Sequence, residues 1–150
     1  MTGTADPGRR ILGVDPGSIR TGLALSDPLH ITCSPLEVIT EAETQRLIER
    51  ILQVAEAHDV TEIVVGLPVP LSGGTNAQLE SVQRFAAELA HRTSILVTTW
   101  DERFTSKLAE RGRKDRSPAD AVAACHMLQS YLDAAHLRRT RNDTPPEASA

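Results

Sequence analysis

Short apolar runs of strand type alternate along this chain with stretches whose apolar residues recur at helical spacing, and this alternation restricts the fold more than any other feature. Ile11-Leu12-Gly13-Val14 has the unbroken apolar character of a strand buried on both faces. Asp15-Pro16-Gly17-Ser18 is a turn with proline and glycine where turns favour them, and Thr21 to Ser26 returns to make a hairpin. A third extended piece spans Ile31 to Ile39. The spacing then predicts a helix from Glu43 to His58, with Leu47, Ile48, Ile51, Leu52, Val54 and Ala55 on its apolar face. β-Branched Thr61 to Val65 reads as a strand stopped by Gly66-Leu67-Pro68. Thr75-Asn76-Ala77-Gln78 fits a capping box for a helix that carries Leu79, Val82, Phe85, Ala86 and Leu89 to about His91. Ile95 to Thr99 is a further strand, and Thr105 to Arg113 is a short helix. Ser117-Pro118 opens a longer helix with Ala121, Ala124, Cys125, Leu128 and Leu132 on one face. This order predicts an α/β layer fold whose leading strands are antiparallel and whose later strands are parallel.

At 150 residues the chain is expected to form one domain, spanning 10–139, with a core that needs neither metal nor disulfide. Residues 1–9 and 140–150 are small, polar and proline-bearing, and are read as disordered tails. Cys33 and Cys125 stand in apolar contexts without a CxxC pair or a histidine at zinc spacing, so they read as reduced core residues. His30 and His58 read as loop or helix-end residues, and His126 and His136 as surface or packed ones. The first nine residues are polar and the longest apolar runs are strand-sized, which points to a cytoplasmic protein with no membrane partner.

Aromatic residues make up only 3% of the chain, which excludes a platform that stacks single-stranded bases as the main mode of binding. The net charge of −4 argues against a general polyanion binder, but it conceals a split. Residues 1–102 carry seven Arg and 14 acids, whereas residues 103–150 carry nine basic and six acidic groups. Arg103, Lys107, Arg111, Arg113, Lys114 and Arg116 fall within fourteen residues, against Glu110 and Asp115. Such a run is either a solvated helix face or a surface that neutralises phosphates.

Parallel sheets bind ligands outside the carboxyl ends of their strands, where Asp15, Gly66-Leu67-Pro68 and Asp101-Glu102 fall. Taken singly, Asp15 reads as a turn acceptor and Glu102 as a solvated residue before a helix. Asp120 reads as part of the box Ser117-Pro118-Ala119-Asp120. Taken together, three carboxylates at one edge could converge, and like charges at close range need a cation between them. Hard oxygen donors favour Mg²⁺ or Mn²⁺ over zinc, and a pair of such ions is a standard means of cleaving a phosphodiester. Gly66, Pro68 and Gly73 belong to a loop whose backbone could approach a phosphate, with the positive end of the next helix behind it. The loop lacks the Gly-Lys-Ser/Thr of a nucleotide-hydrolysing P-loop.

These residues form larger blocks. Asp15-x-Gly17-x-x-Arg20-x-Gly22-x-Ala24, Val65-Gly66-Leu67-Pro68, Asp101-Glu102-Arg103-x-Thr105-Ser106, and Asp120-Ala121-x-Ala123-Ala124 leading to Leu128-Gln129-Ser130-Tyr131-Leu132-Asp133 together closely resemble the YqgF/RuvX family. The resemblance implies an RNase H-like fold with a mixed five-stranded sheet flanked by helices. It further implies a nuclease related to Holliday junction resolvases and a role in maturing the 5′ end of pre-16S ribosomal RNA.

It also makes Asp15, Glu102 and Asp120 the catalytic, metal-binding set. Arg20 and Arg103 match the family's arginines, whose forked guanidinium groups suit phosphate or pair with the same carboxylates. Asp101 precedes Glu102 on the opposite face of an extended segment, which makes it a supporting group. The chain departs from the family at Pro70 and Leu71, where polar residues are usual, and in the shortness of Arg111-Gly112-Arg113-Lys114-Asp115-Arg116.

The expected activity is metal-dependent hydrolysis of structured RNA (pre-rRNA) or branched DNA. The alternatives are a junction resolvase, which needs a two-fold homodimer where RNA cleavage needs only a monomer, and a catalytically weak RNA-binding factor. An actin-like nucleotide-binding domain shares the Asp15-x-Gly17 turn but needs a second clamping domain, for which 150 residues leave no room.

Overall fold

The computed structural model describes residues 9–104 and 119–143. Its five strands are β1 (Arg10–Asp15), β2 (Arg20–Ser26), β3 (Cys33–Thr40), β4 (Val60–Leu67) and β5 (Leu96–Asp101). They form one sheet in the order β3-β2-β1-β4-β5. β1 pairs antiparallel with β2, and β2 with β3, while the β1–β4 and β4–β5 pairs are parallel. The described helices are α1 (Thr44–Ala57), α2 (Ala77–His91) and α3 (Ala119–Asp143), and a single 3₁₀ turn at Glu102–Phe104 follows β5. The expected mixed sheet is therefore present, with β1 at its centre. The short helix expected over Thr105–Arg113 lies outside the described residues.

The apolar β1 side chains divide between two cores. Leu12 and Val14 enter a cluster with Leu47, Ile48 and Ile51 of α1 and Phe85 and Leu89 of α2. Ile11 faces the opposite side, in a cluster with Ala24, Val64 and the α3 residues Ala124, Met127, Leu128 and Leu132. Gly13 shares that side, where a Cβ would stand 2.9 Å from Leu128 Cβ, so α3 crosses almost against the β1 backbone. The period-two alternation of a strand thus builds three layers, with α1 and α2 on one face and α3 on the other.

Helix starts differ slightly from the sequence expectation. Glu43 is the N-cap of α1, its carboxylate accepting from the backbone N–H groups of Gln45 and Arg46 and lying low in pKa for that reason. Asn76, not Thr75, caps α2, its extended backbone placing Oδ1 2.9 Å from Leu79 N, the third N–H of the helix, from which it accepts. The Thr75 hydroxyl instead donates to Glu80. At the far end, α3 continues to Asp143, past the tail boundary expected at 139, and the Thr140 hydroxyl donates to the His136 carbonyl.

Polar contacts hold α3 on the sheet at both sides. Tyr131 and Thr98 both donate to Glu62 Oε2, at 2.6 and 2.7 Å, and Trp100 Nε1 donates to Ser130 Oγ at 3.2 Å. Trp100 and Tyr131 meet edge to face with centroids 5.6 Å apart. On the other side Gln129 donates to the Ile31 carbonyl at 2.8 Å. Phe85, Trp100 and Tyr131 are all engaged in internal packing.

Candidate active site at the carboxyl edge of the sheet

Three acidic residues reach one face of the sheet at one edge. Asp15 is the last residue of β1, two positions beyond Gly13 and four beyond Ile11, so the strand pleat turns it to the α3 side. Its partner across the antiparallel ladder is Gly22. A methyl group at Gly22 would run into the main-chain carbonyl of Asp120, in the first turn of α3. Only a glycine lets the helix start sit this close to the strand that pairs with Asp15.

The other neighbour of β1 is equally spare. Val65 of β4 stands beside Val14, and one step further along the parallel register Gly66 comes level with Asp15. A Cβ at Gly66 would lie 2.5 Å from Glu102 Oε1 and 3.1 Å from Met127 Cγ, so the Glu102 carboxylate lies over the bare Gly66 backbone. Thr98 and Trp100 share the pleat parity facing α3, and Glu102, the first residue of the 3₁₀ turn after β5, lies with Met127 of α3 over Gly66. Asp15, Glu102 and Asp120 are all half-buried. Two glycines, one on each side of Asp15, thus admit the other two acids to its surroundings.

Gly66 differs from its expected place. It belongs to β4 and not to the loop, because the ladder to β5 continues through the pairs Gly66–Trp100 and Leu67–Asp101. Its bareness therefore serves a carboxylate and a core methionine. Pro68 and Gly73 do lie in the following loop, where the Gly73 N–H donates to the Pro70 carbonyl at 2.9 Å and both Gly73 and Gly74 hold positive φ. Leu71 is almost wholly exposed there.

The arginines are engaged with acids. Arg20, the first residue of β2, places Nε 3.5 Å from Asp120 Oδ2. Arg103 grips Asp101 with two guanidinium nitrogens at 2.9 and 2.7 Å, and its own backbone N–H donates to the same carboxylate at 2.8 Å. This pair holds the Asp101 carboxyl below the usual carboxylate range and raises Arg103. The Arg103 guanidinium that Asp101 orients comes within 3.9 Å of a Cβ built at Gly73. A groove of about 440 Å³ beside Asp120 is lined by Gly17, Ser18, Ile19, Arg20 and Thr40. Lys107, Arg111, Arg113, Lys114 and Arg116 lie outside the described residues.

Among the described residues, no three His, Cys, Asp or Glu side chains stand close enough to enclose a metal ion. The donor chemistry nevertheless fits a hard cation: three carboxylates, on one face and one edge, with no sulfur or imidazole among them. Each hangs on rotatable bonds, and Asp120 is held toward Arg20. Gly22 is the contributor that motif reading left without a role. A glycine inside a strand does signal close approach of another backbone, but it does not say which one.

The fold is RNase H-like. It superposes on the structure described as "T. thermophilus RuvC in complex with Holliday junction substrate" with a TM-score of 0.58, at 17% identity, over 85% of this chain and 96% of that one. The sequence is more specific, since the family model described as "RuvX: Holliday junction resolvase" matches residues 9–134, and the chain belongs to that family of nucleases. A relative from Lachnospira eligens is 38% identical over 135 residues, covering 83% of this chain and 96% of its own length. One from Protochlamydia amoebophila is 42% identical over 139 residues, covering 83% and 93%. Both bear the name "Putative pre-16S rRNA nuclease".

Proposed function

We propose that this chain hydrolyses phosphodiester bonds of structured nucleic acid with Mg²⁺ or Mn²⁺ held by Asp15, Glu102 and Asp120, and that its reaction in the cytoplasm is maturation of the 5′ end of pre-16S rRNA. The observation that carries this reading is the arrangement around Asp15, where Gly22 and Gly66 admit Asp120 and Glu102 to the same face of the sheet. The names of the relatives supply the RNA substrate.

A divalent ion bound there supplies Lewis acidity to the phosphate and lowers the pKa of an attacking water. The chain's own residues do the rest. Arg20, exposed beside Asp120, would offer its fork to a phosphate oxygen. Asp101 keeps the Arg103 guanidinium fixed beside the Gly73 turn, so less side-chain freedom is lost when a strand binds. Lys107, Arg111, Arg113, Lys114 and Arg116 add phosphate contacts without sequence readout. In-line attack leaves a 5′-phosphate and a 3′-hydroxyl.

A second reading, an RNA-binding factor with little catalysis, is favoured by one observation: Asp120 pairs with Arg20. The family description favours a third, a junction substrate cut by a homodimer. The purified chain should be given Mg²⁺ or Mn²⁺ with a 5′-extended 16S precursor fragment, a four-way DNA junction and a linear duplex, beside Asp15→Asn. Metal-dependent RNA cleavage lost in Asp15→Asn is expected. RNA binding without cleavage, unchanged in Asp15→Asn, would establish the binding factor, and paired symmetric cuts in the junction alone would establish the resolvase.

A further inference from the structure

Away from the carboxylates, the two cysteines of the chain meet. Cys33 opens β3 and Cys125 lies in the second turn of α3, 92 residues later, yet their sulfurs are 3.0 Å apart. The Cys33 thiol also donates to the Cys125 carbonyl at 3.1 Å and to Gln129 Oε1 at 3.7 Å. Both residues are half-buried free thiols, so a small oxidant can reach them. Their surroundings are fixed from both sides. The Asp27 carboxylate accepts from the N–H groups of Ile31 and Thr32 in the turn before β3, and Gln129 of α3 donates to the Ile31 carbonyl.

We propose that Cys33 and Cys125 form a reversible dithiol–disulfide pair that fastens the outer strand β3 to α3 when the chain meets a peroxide. This reading does not depend on the nuclease assignment. A disulfide has a sulfur–sulfur length of about 2.04 Å, so closure asks for roughly 1 Å of approach by side chains already facing each other. In the reaction one thiolate attacks hydrogen peroxide, breaking the O–O bond to give a sulfenic acid and, after protonation, water. The second thiol then displaces the hydroxyl as another water, forming the Sγ–Sγ bond. Two thiols are oxidised by two electrons and one peroxide is reduced to two waters. The neighbouring Cys125 sulfur and burial push the Cys33 thiol up in pKa, which keeps it protonated and slow to react at rest. A reducing cytoplasm returns the pair to thiols.

The bridge would close a loop of most of the chain and restrict the unfolded state accordingly, with an expected rise in Tm of roughly 10 °C. The full chain is exposed to hydrogen peroxide, denatured, and reacted with a maleimide. Chains that took up two labels before oxidation should take up none, run as monomers without reductant, and regain both labels after dithiothreitol. The Tm rise should be absent in Cys33→Ser and in Cys125→Ala, two independent variants each lacking one sulfur. Persistent double labelling, disulfide-linked dimers, or a bridged monomer with unchanged Tm would each overturn the proposal.

Discussion

Replacing Gly22 with alanine tests whether the closeness of α3 to β2 serves the site. The added methyl meets the Asp120 carbonyl and the nitrogen of the Asp120–Ala121 peptide, all backbone atoms that cannot rotate aside. Ordinary van der Waals contact is about 3.5 Å, so the start of α3 must move outward by on the order of 1 Å. Overpacking of this kind costs about 1–3 kcal/mol, which for a domain of this size lowers Tm by roughly 3–10 °C. A 1 Å displacement of a group that holds or orients reactants costs about 100-fold in rate. Gly22→Ala should therefore remain folded at 25 °C, bind substrate nearly as well as wild type, and cleave about 100-fold more slowly in single-turnover assays with saturating Mn²⁺. Wild-type cleavage by a variant whose Tm has fallen would show that the position of Asp120 is immaterial. An unchanged Tm would show that the close approach itself is absent in solution.

Two further outcomes follow from polar contacts. Arg20→Gln removes an exposed ion pair, so unfolding stability should stay within about 0.5 kcal/mol of wild type while cleavage falls about tenfold; a stability loss of several kcal/mol would refute this reading. The Tyr131 hydroxyl is pushed up to about 12 by burial and by its bond to Glu62, against about 10 in an unfolded chain. Between those values the unfolded chain releases a proton that the folded one keeps. The contribution is therefore full below about pH 10 and is lost as pH rises towards 12, and Tyr131→Phe should flatten that decline in urea-unfolding midpoints.

Much of this arrangement is legible in the sequence because it rests on strand parity. Asp15 ends an apolar run, and the sequence separates Asp101 from Glu102 as neighbours in an extended segment; in the structure the strand ends between them, and one pairs with Arg103 while the other, opening a 3₁₀ turn, lies over Gly66. Gly66-Leu67-Pro68 reads as a stop, yet β4 runs through Leu67, because its ladder to β5 continues through Gly66–Trp100 and Leu67–Asp101 despite the glycine. Thr140 to Asp143 reads as tail by composition, although a helix already docked can extend, and the Thr140 hydroxyl donates back to the His136 carbonyl within it. The meeting of Cys33 and Cys125 has no local signal. It arises from α3 crossing β1 and β2 to reach β3, a tertiary fact.

The chain's first strand and its last described helix both contribute to the carboxylate edge. A ribosome that has made the whole sheet and the turn after it, through Phe104, has produced Asp15 and Glu102 but not Asp120, and Ile11, Ala24 and Val64 still lack the helix that covers them. Under the proposed assignment, growing or truncated chains are inert as nucleases. Docking of α3 then completes the core and supplies the third acid together, so that the ability to cut appears only when folding is finished.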